Sequence, residues 1–296
     1  MKDFEYLRAK DVDEAISLLE RYGSEASIIG GGTDLLNNIR MRTQQPDYVI
    51  DIKSIPGLNN LTYDTGNGLT IGALTTIQTI IDSSLLREKY PILSETASQM
   101  ASWQVRNRAT VGGNLCNAAP SADMAPPLIA LGANVTIIGS SGTRSLPLEN
   151  FFKGPGLTDL RRDEILTQIN VPVLSANTVG VYLKGRVKMS MDLALVGVAV
   201  VVTYSKDGIC EDIKIAYGAV GPTPIRSKEA EQVCKGNTIT EDIIEKAVIK
   251  AQIEAKPITD CRCPAEYRLE LIMALTGRAL KEAWRRSRNG GLSDVC

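Results

Sequence analysis

Two glycine-rich turns hold the residues of this chain whose types and spacing could do chemistry. The first lies in S-I-I-G-G-G-T-D-L-L-N-N-I-R-M-R, from Ser27 to Arg42, where Ile29 and its short apolar run meet Gly30, Gly31 and Gly32 before a helical pattern. Glycine lacks a Cβ and reaches positive φ, so successive backbone N–H groups in such a turn can converge on one anion. Thr33 or Asp34 can cap a following helix that carries Leu35, Leu36, Ile39 and Met41, and the positive end of its dipole also favours negative charge. A strand-to-helix turn that binds nothing would have the same pattern. It is neither G-x-G-x-x-G nor a P-loop, because no Gly-Lys-Ser/Thr follows, which disfavours Rossmann and NTPase readings. The second turn is Thr110-Val111-Gly112-Gly113-Asn114, with a tail of small and polar residues from Asn117 to Asp123. Two cradles suit a diphosphate with long arms, such as a flavin dinucleotide held between turns from different parts of one domain.

The chain has 296 residues, 44% of them hydrophobic and 23% charged, enough for two domains with sizeable cores. Lysine and arginine number 33 against 34 acidic residues, so no global charge argues for a nucleic-acid or membrane-surface partner. Met1 to Glu5 lacks an apolar signal core and no apolar stretch reaches membrane-spanning length, so the expected location is the cytoplasm. The six cysteines, Cys116, Cys210, Cys234, Cys261, Cys263 and Cys296, include no C-x-x-C pair and are expected to be reduced thiols. Histidine is absent, which removes Ser-His-Asp and Cys-His nucleophilic systems and with them most acyl-transfer hydrolase chemistry.

The elements that must position the turns follow from periodicity. D-V-D-E from Asp11 reads as a capping box ahead of a helix with Val12, Ala15, Ile16 and Leu19, stopped by Gly23. Ala26 to Ile29 and Tyr48 to Ile52 read as strands, giving an α-β-α-β start over about residues 1–55. Leu61 to Ile71 reads as a hairpin, Thr75 as the cap of a helix with Ile77, Ile80, Ile81 and Leu85, and Pro91 as the first turn of another. Met124 to Leu131 reads as a short helix, Asn134 to Ile138 as a strand, and Glu164 to Val171 as a half-buried strand. A polar stretch from Val173 to Asn177 marks a domain boundary. Beyond it, Val179 to Lys188, Leu193 to Tyr204 and Ile209 to Tyr217 read as strands, followed by helices over Thr240 to Ala255 and Ala265 to about Arg286. The expected fold is α+β: a two-subdomain domain over 1–175 (about 1–55 and 56–175), then a smaller domain over 176–296 with a three- or four-stranded antiparallel sheet and helices on one face.

Taken together, I-I-G-G-G-T-D-L-L, Q-V-R-N-R-A-T-V-G-G-N-L, A-A-P-S-A-D-M-A-P, Y-L-K-G-R-V-K-M-S-M-D-L-A and P-A-E-Y-R occur in an order that resembles, end to end, the FAD-binding medium subunits of the xanthine dehydrogenase and carbon monoxide dehydrogenase family of molybdenum hydroxylases, including the FAD subunit of nicotinate dehydrogenase. The resemblance implies a two-subdomain FAD-binding fold of the vanillyl-alcohol-oxidase-like kind and FAD as cofactor. It implies that Ile29 to Leu36 wraps the FAD diphosphate, that Thr110 to Asn114 supplies a second set of backbone and side-chain donors, and that Asp123 bonds ribityl or ribose hydroxyls. A cap on the helix at Met124 is the competing role for Asp123. By the same resemblance Leu166 packs on an aromatic ring of the cofactor, Ala101 makes a backbone contact and Lys184 reaches the flavin. Lys188 stands where the family usually has arginine, keeping charge without the bidentate fork. Gly185 in the loop after Tyr182 is a further departure. No cysteine lies between Cys116 and Cys210, so the extra four-cysteine cluster of some relatives is not expected. The implied partners are an iron–sulfur subunit, a molybdenum-cofactor subunit and NAD(P) or another electron acceptor. A freestanding flavin oxidase or reductase and a flavin-free assembly subunit are the rival readings.

Overall fold

A computed structural model of the chain describes residues 2–188 and 191–288. Met1, the Met189-Ser190 pair of the lysine-bearing stretch and the segment ending in Cys296 lie outside the described residues. The strands β1 (Glu5–Arg8), β2 (Ala26–Ile29) and β3 (Tyr48–Asp51) form a parallel sheet in the order β1-β3-β2, with α1 (Val12–Tyr22) and α2 (Leu35–Arg40) in the connections. Periodicity does not signal β1, because three of its four residues are exposed and it carries no apolar alternation. The Asp11 side chain accepts from Glu14 N at 2.8 Å, as the capping pattern predicts, while the Glu14 carboxylate accepts from Lys10 N rather than from the cap itself. Ala15, Ile16 and Leu19 of α1 pack into one apolar cluster with Ile50 and Ile52. Neither Thr33 nor Asp34 caps α2 through its side chain, and Met41 falls beyond the last turn, exposed.

The second sheet is antiparallel. A hairpin of β4 (Leu61–Asp64) and β5 (Gly68–Gly72) turns on the Asp64 carboxylate, which accepts from Gly66 N and Asn67 N. Helices α3 (Ile77–Asp82), α4 (Ser84–Lys89), α5 (Pro91–Ser98), α6 (Trp103–Arg106), α7 (Val111–Cys116) and α8 (Ala125–Ala130) follow. The cap of α3 is Thr76, not Thr75. The Thr75 carbonyl is instead bonded to Val111 N, tying this corner to the second glycine turn. Strands β6 (Asn134–Gly139), β7 (Gly142–Pro147) and β10 (Ile165–Val171) complete the sheet in the order β4-β5-β10-β6-β7, and the small pair β8 (Phe152–Gly154) and β9 (Leu157–Thr158) forms a side ribbon. Leu166 lies on the central strand of this sheet, flanked by β5 and β6.

The last part is a four-stranded antiparallel meander of β11 (Thr178–Gly185), β12 (Val196–Tyr204), β13 (Cys210–Gly218) and β14 (Ile225–Arg226), with α9 (Lys228–Cys234), α10 (Glu241–Glu254) and α11 (Ala265–Arg288). β11 stops at Gly185, short of Lys188, because the Asp192 carboxylate accepts from the N–H groups of Val187, Lys188 and Leu193 and folds that segment into its own loop. The expected helices on one face are present, but the other face is covered too. Alternate residues of β12 point to different cores: Val198, Val200 and Val202 pack with α10 and α11, whereas Ala199 and Val201 join the core of α5 and α8. Burying a valine side chain contributes about 1.5–3 kcal/mol, so β12 serves as a shared hydrophobic wall between the two halves.

Polar contacts tie the halves as well. The Arg286 guanidinium at the end of α11 bonds both Glu95 carboxylate oxygens of α5 at 3.0 Å and the Gly180 carbonyl of β11 at 3.1 Å. Removing it leaves a largely buried Glu95 unpaired, so Arg286→Met is expected to lower unfolding free energy in urea by about 2 kcal/mol. Glu282 is held down to about 2 by Arg285 and Arg286. Its contribution is therefore complete above the ordinary glutamate pKa and is lost as pH falls toward 2, and Glu282→Gln is expected to flatten the acid side of the stability profile, read by thermal melting against pH.

Candidate functional site

A cavity of about 390 Å³ opens where the first two sheets meet. Both glycine turns line it, and each is in place for a steric reason. A Cβ on Gly31 would sit 2.1 Å from the Arg108 carbonyl oxygen, and a Cβ on Gly112 would sit 2.6 Å from that of Ala73. Only glycine allows backbone to approach backbone this closely. Gly32, at φ 76°, takes the left-handed conformation that swings the chain into α2.

The two turns differ in what they offer a ligand. Among the described residues, the backbone N–H groups of Gly30, Gly31, Gly32, Thr33 and Asp34 have no acceptor within the chain. The corresponding groups of the second turn are already engaged: Val111 N with Thr75 O, Gly112 N with Ala73 O, and Gly113 N with Thr110 Oγ1. What the second turn presents is side chain, the Thr110 hydroxyl and the Asn114 amide, whose oxygen accepts from Met124 N at 3.4 Å. The first turn is thus a row of backbone donors and the second a polar wall facing it. Leu166, Leu74, Ile28, Ile52 and Leu19 add an apolar face on which a flat ring can lie. A group with an anionic centre and an aromatic arm fits these residues, as FAD requires.

Eleven of the residues expected from the sequence line this cavity: Gly30, Gly31, Gly32, Thr33, Asp34, Leu35, Thr110, Gly112, Gly113, Asn114 and Leu166. Ile29 and Val111 are buried behind it as packing, and Leu36 is half-exposed on the outer side of α2. Burial raises the Asp34 carboxyl above its ordinary pKa, and that carboxyl has no hydrogen-bond partner among the described residues. Ala101 takes a positive φ of 41°, uncommon for a residue with a Cβ, in a turn that Arg106 braces by donating to Ser98 O and Met100 O.

Asp123 and Lys184 meet away from the cavity, at the junction of the two halves. Lys184 Nζ lies 2.8 Å from Asp123 Oδ2, and the Tyr182 hydroxyl donates to Oδ1 at 2.8 Å. Asp123 does not cap α8; both of its carboxylate oxygens are spent on β11. Burial raises its carboxyl pKa despite the ammonium beside it. Lys188 is exposed, its backbone N–H bonded to Asp192. Sequence reasoning missed Ser27, Asn38, Gln44, Asn117, Arg161 and Arg162 among the cavity-lining residues. The paired arginines just ahead of the Leu166 strand were the available signal.

Neighbouring glycines differ in what an added Cβ would meet. Gly31→Ala must push the Arg108 backbone away and is expected to lower the stability of the flavin-free chain by about 1–3 kcal/mol and abolish FAD retention. Gly30→Ala meets the Leu74 side chain at 3.0 Å, which can rotate, and Thr110 Oγ1 at 3.6 Å, an ordinary contact, and is expected to leave the melting temperature nearly unchanged. Differential scanning calorimetry with flavin content checks both.

Comparisons with known proteins agree with this geometry. Residues 2–174 match the family described as FAD binding domain in molybdopterin dehydrogenase, and residues 182–283 match the CO dehydrogenase flavoprotein C-terminal domain. The glyceraldehyde dehydrogenase medium chain of Sulfolobus acidocaldarius is 36% identical over 95% of this chain and 98% of its own length. The xanthine dehydrogenase FAD-binding subunit of Escherichia coli O157:H7 is 33% identical over 96% of this chain and 97% of its own. A solved structure of carbon monoxide dehydrogenase from Hydrogenophaga pseudoflava, lacking the Mo-pyranopterin moiety of its cofactor, superimposes with a TM-score of 0.93 at 35% identity, covering 96% of this chain and 98% of that one. With both halves matched, in one order and over nearly the full length, the chain belongs to the family of FAD-binding medium subunits of the molybdenum-dependent xanthine and carbon monoxide dehydrogenases.

Proposed function

We propose that this chain carries electrons within a multi-subunit molybdenum hydroxylase. They enter singly from the iron–sulfur clusters of one partner subunit and leave in pairs to NAD(P) or another acceptor. A second partner, holding the molybdenum cofactor, hydroxylates an N-heterocycle such as nicotinate or a purine. The five unpaired N–H groups of the first glycine turn carry the reading for this chain: they suit the FAD diphosphate, with Leu166 against an aromatic ring of the cofactor. The heterocycle is supported by the relative named as a xanthine dehydrogenase subunit. Bound FAD supplies the exchange between one- and two-electron transfer. The chain's own residues bind, orient and shield it. Thr110 and Asn114 present polar side chains along the second wall, and the buried Lys184–Asp123 pair fixes the C-terminal sheet beside the flavin domain and sets local charge.

In this reading residues 1–175 form the flavin domain, with subdomains at about 1–55 and 56–175, and 176–296 form the C-terminal domain. The partition is supported by the separate sheets and by family matches that leave 175–181 between them. No helix among the described residues is long and apolar enough to cross a membrane, and the described cysteines are free thiols, which suits work in the cytoplasm. The chain co-produced with its partner subunits is expected to show flavin absorption at about 450 nm that bleaches with the N-heterocycle and recovers with NAD(P). The chain alone, loaded with FAD, is expected to stay oxidised with the same substrate. Turnover by the isolated chain would support the freestanding oxidase instead.

A further inference from the structure

We propose that Arg162 is a positioning residue for FAD, reaching the diphosphate from a wall of the cavity that the glycine turns do not form. Four acidic or basic residues line the cavity, Asp34, Arg161, Arg162 and Glu164, and the Cys116 thiol beside them stays neutral, its pKa pushed up to about 12 by burial. Glu164 is committed elsewhere, accepting from Arg144 Nε and Nη2 and from Arg161 N, each at 2.7 Å. The Arg161 guanidinium stands 4.0 Å from that same carboxylate. Arg162 has no hydrogen bond or ion pair among the described residues, although it stands on the cavity wall just before β10. The cavity therefore holds backbone donors, one unpaired carboxylate on Asp34 and one cation without a partner. A diphosphate adds two negative charges beside Asp34, and the partial charges of five N–H groups do not neutralise them. The planar guanidinium fork matches two phosphate oxygens, which a point charge does not. An arginine that spends its life in solvent would sit there just as well without ligand, so the test must separate the two roles.

The inference rests on the placement of the FAD diphosphate at the first glycine turn. The experiment uses the full chain stripped of FAD and measures binding of FAD, ADP and adenosine by flavin fluorescence and its displacement. ADP carries the diphosphate; adenosine does not. The wild-type chain is expected to prefer ADP strongly over adenosine. Arg162→Ala is expected to weaken FAD and ADP by about fivefold, with a shallower salt dependence and unchanged adenosine binding, for an exposed charge-assisted contact. Arg162→Lys is expected to recover part of the loss, and Arg162→Gln serves as the second neutral variant, each checked by its melting temperature. An ADP-to-adenosine ratio and salt slope unchanged in both neutral variants would overturn the role of Arg162. An equal loss for adenosine would overturn it too, showing a packing effect. A wild-type chain that binds ADP no better than adenosine would instead contradict the diphosphate placement itself.

Discussion

The contact of Gly31 with the Arg108 carbonyl is the constraint on which the rest of the site depends. It presses the turn between the parallel sheet and α2 against the segment leading to α7, so that two stretches distant in sequence become facing walls of one cavity. A side chain at either Gly31 or Gly112 would open the seam. The same packing uses up the N–H groups of Val111 and Gly112 in the second turn on Thr75 and Ala73, and leaves those of the first turn free. Binding capacity on one side is thus obtained by giving the other side a structural job. Gly30 to Thr33 are half-buried and Asp34 is exposed, so water can meet these donors until an anion replaces it; what suits them to an anion is five donors in succession beside an apolar wall.

The C-terminal half reinforces this arrangement from behind. Its sheet is packed on both faces, by α10 and α11 on one side and by α5 and α8 on the other, and β12 has almost no surface left for solvent. Buried polar groups brace it, within the half and across the junction. Arg268, from the P-A-E-Y-R stretch, donates to the carbonyls of Leu195 and Ala219 and to Asp260, tying the residue before β12 to the residue after β13. The Lys184–Asp123–Tyr182 cluster then locks β11 to the segment ahead of α8. Removing one partner of a charge pair buried this deeply leaves the other uncompensated, at a cost of about 3–5 kcal/mol.

Much of this was legible in the residues, for local reasons. The glycine turns, the Asp64 hairpin, the Asp11 cap and the long valine-rich strand each announce themselves within a few positions, because backbone conformation and alternation are local properties. The position of the Thr76 cap was missed by one residue, since the Thr75 carbonyl is recruited by Val111 from the far side of the chain. β1 was invisible because an exposed edge strand has no apolar alternation to read. The engagement of Val111 and Gly112 could not be foreseen either, as it depends on where Thr75 and Ala73 arrive in space, whereas Gly113 N is held locally by the Thr110 hydroxyl. Asp123 and Lys184 were singled out by family resemblance for cofactor contacts; their pairing with each other follows only once the two halves are docked. The second covered face of the C-terminal sheet was, in hindsight, written in V-G-V-A-V-V-V, a run too continuously apolar for a sheet with one wet side.

The central claim is that the free backbone donors of the first turn receive the cofactor's diphosphate. Amide hydrogen exchange resolved at single residues, compared between the flavin-free and FAD-loaded chain, tests it most directly. Rapid exchange is expected at Gly30 to Asp34 without FAD and strong protection with it, while Val111, Gly112 and Gly113 are protected in both states. Protection by FAD that appears elsewhere and leaves Gly30 to Asp34 exchanging freely would contradict it.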